Sequence, residues 1–320
     1  MRTSIVSLIA ATLLLCSASA YALRQVRVFE VNVSSQVDAA TQAQSGLRQV
    51  LVRATGLRDA ASDPALAGVL AQAPQYVIAT RPAASGSGTT LVFDAAALER
   101  DITAAGRSLW PSERPLLLIV LTGGPATGAF ETRRQVEGVL DAASNRRGQP
   151  IRVARPEALN LPAVGEIAGD AALAVAQRLG ADAVMIGYGD AVPTGGAWRW
   201  SLTAAGMIET WSGSLEDGVH GAADIFARNA QAFAGQPEVS LLVEVEGVSS
   251  LREYARVSEV LAAAGGVRSV QLAEATGTRA IFAVQTRGGA DALKGSLVTN
   301  PSFELIDPKA GGAIAYRFHP

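Results

Sequence analysis

The chain is poor in the residues from which catalytic sites are most often built. It has one cysteine and two histidines in 320 residues. Cys16 lies in the N-terminal apolar segment, so no disulfide framework, paired-cysteine zinc site or Cys–His pair can be assembled. His220 and His319 are too few and too far apart in sequence to complete a Ser-His-Asp set. No HExxH, no paired cysteines and no DxDxDG loop occurs, so no metal and no cofactor is expected. Lysine is scarce as well: Lys294 and Lys309 are the only two, and arginine supplies nearly all the positive charge. The formal net charge is −2. That balance gives no global attraction to nucleic acid or anionic lipid, and neither is expected as a partner. Long apolar runs are missing too. The longest near the N-terminus, Ile5 to Leu15, is about 11 residues, against roughly 20 for a membrane-spanning helix.

What is present begins with "MRTSIVSLIAATLLLCSASAYA". One early Arg2, an apolar run, and small residues at Ala18, Ala20 and Ala22 form the three-part layout of a secretory signal peptide, residues 1–22, with cleavage expected after Ala22 or Ala20. Leu15 before Cys16 does not suit lipoprotein processing, which wants a small residue there. The expectation is a periplasmic protein with no transmembrane anchor after signal removal and no cysteine in the mature chain. Its stability then rests on packing alone.

Periodicity divides the remainder into three units: 23–111, a small α+β unit; 112–236, a mainly parallel α/β unit with an antiparallel hairpin; and 237–320, a ferredoxin-like βαββαβ unit. In the first, "VRVFEVNV" reads as a strand with a bulge, Gln36 to Arg53 as a helix, and Asp63-Pro64 as the start of a shorter helix. "WPSERP", Trp110 to Pro115, reads as a linker. In the second, "LLLIVL" is unbroken apolar, the form of a strand covered on both faces. Strands alternating with helices through Tyr188 argue a parallel sheet. In the third, strands are expected at 239–245, 267–275, 279–286 and 303–306, with helices at 250–264 and 290–298. Such a scaffold names no function.

Two glycine-rich loops invite comparison with phosphate cradles. Gly123, Gly124 and Gly128 lie between a strand and a helix, yet the loop lacks a Gly-Lys-Ser/Thr ending, and Pro125 removes an amide donor. "GYGD" starts as G-x-G, but Asp190 would repel a phosphate, and a turn and strand follow where a dinucleotide needs a helix. Gly187 and Gly189 therefore read as places where the buried strand "AVMIGYG" has no room for side chains. The candidate binding residues are Trp198, Trp200 and Trp211 with Asp190. Indoles at alternating strand positions can form a carbohydrate platform, although the same spacing serves cross-strand packing. Asp170, Asp182 and Asp190 are candidates for a cation at strand ends, with capping as the alternative role.

The block "VFEVNVSSQVDAATQAQSGLRQVLVRATGLRDAASDPAL", with its V-x-V strand, the helix core at Leu47 to Gly56 and the Asp-Pro helix start, resembles the bacterial envelope family known as domain of unknown function 2066. The segment "AQRLGADAVMIGYG" and the tryptophan hairpin after it support the likeness. The resemblance implies an envelope location and no established activity, cofactor or catalytic residue. The middle unit is also similar to the small α/β modules of periplasmic accessory proteins, at the level of fold. Together these lead to an exported, non-enzymatic binding or accessory protein whose partner is an envelope protein or a peptidoglycan component. The alternative is a hydrolase or binder of peptidoglycan or carbohydrate that uses middle-unit carboxylates beside the tryptophans.

Overall fold

The structure is a computed structural model that describes residues 24–84, 88–122, 130–156, 169–189, 196–204, 207–232, 236–298, 300, 302–306 and 314–319. The expected signal segment, the loop 123–129 and Asp190 lie outside these residues. The described chain is a mixed α/β protein with eight α-helices and four sheets. Among the described residues no helix is long and apolar enough to cross a membrane.

The first elements are β1 (Arg24–Gln25), β2 (Glu30–Val33), α1 (Ala39–Thr55), α2 (Ala67–Ala71), β3 (Val77–Pro82), β4 (Thr89–Phe93) and α3 (Ala95–Ala104). Strands β2, β4 and β3 form an antiparallel sheet in that order. Helix α1 starts where Asp38 accepts from the Ala40 and Thr41 amides, so the cap is Asp38 and the expected start at Gln36 is too early. Leu47, Val50, Leu51 and Ala54 then repeat on the buried face against Val31, Leu91 and Phe93. The helix ends at Gly56, whose φ of 69° is the left-handed cap conformation that favours glycine. Asp63 caps the next turn as expected, accepting from Ala65, but the residues after it, Pro64–Leu66, form a 3-10 turn before α2.

Next come β5 (Glu113–Arg114), β6 (Leu117–Thr122), α4 (Phe130–Arg147), β7 (Ile151–Ala154), α5 (Gly169–Arg178), β8 (Ala183–Gly189), β9 (Trp198–Ala204), β10 (Met207–Gly213) and α6 (Leu215–Ala232). The sheet order is β10-β9-β8-β6-β7, with β7, β6 and β8 parallel and β9 and β10 antiparallel to their neighbours. Alternate residues of β6 explain its unbroken apolar run. Leu117, Ile119 and Leu121 pack with residues of α4 and α6, while Leu118 and Val120 pack with Ala172 and Ala176 of α5. The segment expected as a linker is instead packed: Trp110 is buried, and β5 pairs with β1.

The last elements are β11 (Glu238–Glu246), α7 (Leu251–Ala263), β12 (Val267–Thr276), β13 (Arg279–Arg287), α8 (Gly289–Leu297), β14 (Phe303–Ile306) and β15 (Ile314–Phe318). Their sheet runs β12-β13-β11-β15-β14, and β15 lies parallel to β11. Strand β15 was not expected from the sequence, and it separates β14 from β11. Helix α7 carries a capping box in which Ser250 and Glu253 satisfy each other's backbone amides. The core on this helical side includes Val243, Val245, Val257, Leu261, Phe282 and Leu293.

Candidate functional site

Helix α1 leaves its last carbonyls without partners inside the helix, and the middle segment supplies them one after another. Arg53 O accepts from Arg114 Nη2 at 2.5 Å, Ala54 O from the Trp110 amide at 2.7 Å, Thr55 O from Gln231 Nε2 at 2.6 Å and Gly56 O from Arg147 Nη2 at 2.7 Å. Cations belong at this negative end of a helix dipole. Arg114 is fully buried, also donates to Pro111, Arg147 and Gly148 carbonyls, and lies 3.6 Å from the Trp110 ring centroid. Burial, then the charges of Arg53 and Arg147, push its pKa down to about 9, so it stays protonated at neutral pH.

Arg147 is equally buried and ion-paired to Asp224. Burial lowers its pKa and Asp224 opposes that shift. Arg58 spans Asp217 and Asp224 at 3.1 and 3.0 Å, which ties these carboxylates to a cation. His220 lies alongside, with its Nδ1 buried and without a partner among the described residues. Its pKa is lowered to about 4 by burial first and then by Arg147, Arg58 and Arg146. The His220 side chain is 13% exposed, because α6 packs this face inward. The donors of this cluster are spent mainly on carbonyls and carboxylates of the chain itself. Its chemistry is that of a clamp joining α1 to α4 and α6.

The candidate tryptophans are placed differently from a platform. Trp198 and Trp200 are each 1% exposed, stacked with centroids 5.6 Å apart, and covered by the core that includes Val219 and Ala223. An indole with both faces packed cannot stack on a sugar, which corrects that reading for these two residues. The indole N–H of Trp200 donates to Ser214 O, and that of the half-buried Trp211 to Asp217 O. Glycines form the sockets. By register Gly187 faces Trp200 and Gly189 faces Trp198, and a Cβ at Gly187 would come 2.5 Å from the Trp200 ring. Gly218 and Gly221 of α6 make the same allowance for Trp200 and Trp211.

Of the remaining carboxylate candidates, Asp182 is the one whose side chain is described. Asp190 lies outside the described residues, as do the glycines of the 123–129 loop. Asp182 accepts from the Leu116 amide at 2.7 Å, a strand-end role, and burial raises its pKa. Ser214 caps α6, its Oγ accepting from the Asp217 amide, while the Asp217 carboxylate accepts from the Ser214 amide and hydroxyl. Among the described residues no group of carboxylates, histidines or cysteines is arranged to hold a metal. The described residues line two surface grooves, among others. One, of about 530 Å³, is lined by residues including Leu57, Asp59, Asp63 and Arg107, and there Asp63 takes both ends of the Arg107 guanidinium. The other, of about 430 Å³, is lined by Glu246, Gly247, Thr278, Arg279, Arg317 and Phe318 at one end of the third sheet. Sequence reasoning missed the arginine clamp. The one signal available was an arginine two residues after a helix-terminating glycine.

Comparison with known families gives one match: residues 20–111 fit the family described as Domain of unknown function (DUF8605). This overturns the resemblance to domain of unknown function 2066. The features behind that resemblance are general packing needs, since Leu47, Val50 and Leu51 are the buried face of α1 and Asp63 is a turn cap. No curated protein matches the chain. Among solved structures, the PelC dodecamer of Paraburkholderia phytofirmans is 16% identical, with 36% of this chain and 83% of that one covered at a TM-score of 0.18. A Kluyveromyces lactis allophanate hydrolase is 10% identical, with 73% of this chain and 62% of that one covered, also at 0.18. At that score neither likeness bears on fold or function.

Proposed function

We propose that the chain is an exported cell-envelope protein that works by binding a protein partner or envelope component, with its third sheet as the contact surface. On this reading the chain has units at 23–111, 112–236 and 237–320, and the last is a ferredoxin-like βαββαβ unit with β15 added. The signal-like layout of residues 1–22 supports export to the periplasm.

The observation that carries the reading is the face of the third sheet opposite α7 and α8. Leu242 is 50% exposed there, beside the half-buried Ala283 and near Ile281. One end of the same face carries a charged row across four strands, Arg279, Glu246, Arg317 and Glu304. A small apolar centre with a charged rim is the anatomy of a protein-binding patch. The test places a photo-crosslinking side chain at Leu242 in cells. The expected result is a periplasmic protein that forms one or more discrete light-dependent adducts with envelope components. Retention in the cytoplasm, or no adduct above that of a probe placed at Ile78 of β3, counts against it.

A further inference from the structure

The two histidines of the chain have opposite surroundings. His319 is exposed beside Glu304, whereas His220 stands on α6 at its joint with α4 and with the segment that follows α1. The main-chain oxygen of His220 accepts from Arg147 Nη1 at 3.4 Å, and its Nε2 lies 3.9 Å from Glu216. The charged groups around the ring are Arg146 and Arg147 of α4, Arg58 after α1, and Glu216, Asp217 and Asp224 of α6 itself. Each carboxylate is already committed. Glu216 pairs with Arg146, Asp217 with Arg58, and Asp224 with both Arg58 and Arg147.

With a neutral imidazole this cluster is balanced, three arginines against three carboxylates. A proton on His220 upsets it in two ways. It adds a cation for which no uncommitted carboxylate remains in the cluster, and it puts an N–H on the buried Nδ1, which has no partner among the described residues. The arginines differ in how they can respond. Arg147 is fully buried and donates to Gly56 O, whereas Arg58 is 48% exposed and can move into water. Relief of the added charge therefore falls on Arg58 and the segment that carries it. That segment is seated closely on α6: a Cβ at Gly56 would come 2.4 Å from the Ala227 Cβ, so a small outward movement loses the contact.

We propose that this joint is an acid-operated latch, in which protonation of His220 releases segment 56–58 from α6 while the third sheet stays closed. The geometry supplies both requirements, a titratable ring enclosed at a joint and a neighbouring cation with an exit to solvent. Burial first, then Arg147, Arg58 and Arg146, hold the pKa of the enclosed ring at about 4, against 6.5 for a free one. The open form, with the ring in water, binds the proton more tightly. The latch is thus closed above pH 6.5, and the open population grows as pH falls from there toward 4.

The test is amide hydrogen exchange of the full chain by mass spectrometry, corrected for the intrinsic pH dependence of exchange. From about pH 7 to about pH 5, protection in peptides covering residues 51–58 and 217–227 is expected to fall about tenfold, the proton linkage less the part removed by screening. Peptides from β11 and β13 are expected to keep theirs. In His220→Gln, which cannot take up the proton, the fall should vanish, and a thermal melt at neutral pH checks that this variant is folded. A second measurement leaves His220 in place. In His319→Gln a single imidazole remains, and its nuclear magnetic resonance signal should titrate over the same range in which protection is lost. An imidazole that titrates with no loss of protection overturns the proposal, as does a loss that persists in His220→Gln. An equal loss in β11 and β13 overturns it as well, because it would mark general acid unfolding.

Discussion

At the C-terminal end of α1 the arginines are buried and bonded to carbonyls, whereas across the third sheet they stand at the surface between carboxylates. Arg114 and Arg147 are fully buried, with donors at 2.5 to 3.4 Å from main-chain oxygens. Arg279 and Arg317 are 40% and 48% exposed and sit 3.3 to 3.8 Å from their glutamates. The same residue type thus does two jobs. Where a helix end is buried, its carbonyls need fixed donors, and a cation removed from water is tolerated only if nearly every N–H finds one. On an open sheet, water screens each pair, and the charges set what may approach more than how firmly the sheet is folded.

The sharpest way to break this comparison is Arg147→Ala. It strips the buried Gly56 O of its donor and leaves Asp224 with Arg58 as its remaining cation, and is expected to cost about 2–4 kcal/mol in urea unfolding. A cost below about 1 kcal/mol would show that water replaces the guanidinium and that the site is not a clamp. Next in size is Gly187→Ala, expected to cost about 1–3 kcal/mol and to change the near-ultraviolet circular dichroism of the stacked indoles. An unaltered spectrum and melting point would mean the tryptophan sockets yield freely.

The third prediction concerns acid. The folded-state pKa of His220, about 4, lies below its ordinary value of 6.5. The unfolded chain therefore binds more protons between those values, and stability is complete above pH 6.5 and declines as pH falls toward 4. With allowance for residual solvent screening the loss is about 2 kcal/mol, and His220→Gln should flatten the slope in that window. Asp63 and Asp217 have lowered values and act further down. Their contribution is present above the usual carboxylate range and is lost only as pH falls below it. An unchanged slope in the glutamine variant would assign the acid sensitivity elsewhere. The smallest effect is expected for Arg317→Ala, within about 1 kcal/mol by thermal melting. A larger loss would put the surface row in the same class as the buried clamp.

Much of the local structure was legible. The alternation in β2, the doubly apolar β6 and β8, and the βαββ run from β11 to β13 follow from side-chain period, which is a local property. The glycine reading of "GYG" was also accessible, because a strand glycine marks a close approach whatever approaches it. Other features were hidden for physical reasons. Strand β15 inserts parallel between β14 and β11, and spatial order within a sheet leaves no trace in period. "WPSERP" has the composition of a linker, yet Trp110 and Arg114 are buried by contacts with residues far away in sequence. Trp198 and Trp200 alternate as a platform or a packed pair would, and only the helices α4 and α6 lying across them decide which.

By itself, then, the sequence determined the helices and most strands, the cap at Asp63, and the scarcity of thiol and imidazole chemistry. Those depend on neighbours along the chain and on composition. The tertiary structure decided which charges are buried, which indoles are covered and which strand is left at the edge of the third sheet. Desolvation, packing and edge exposure arise only when distant segments meet, and no local pattern carries that information.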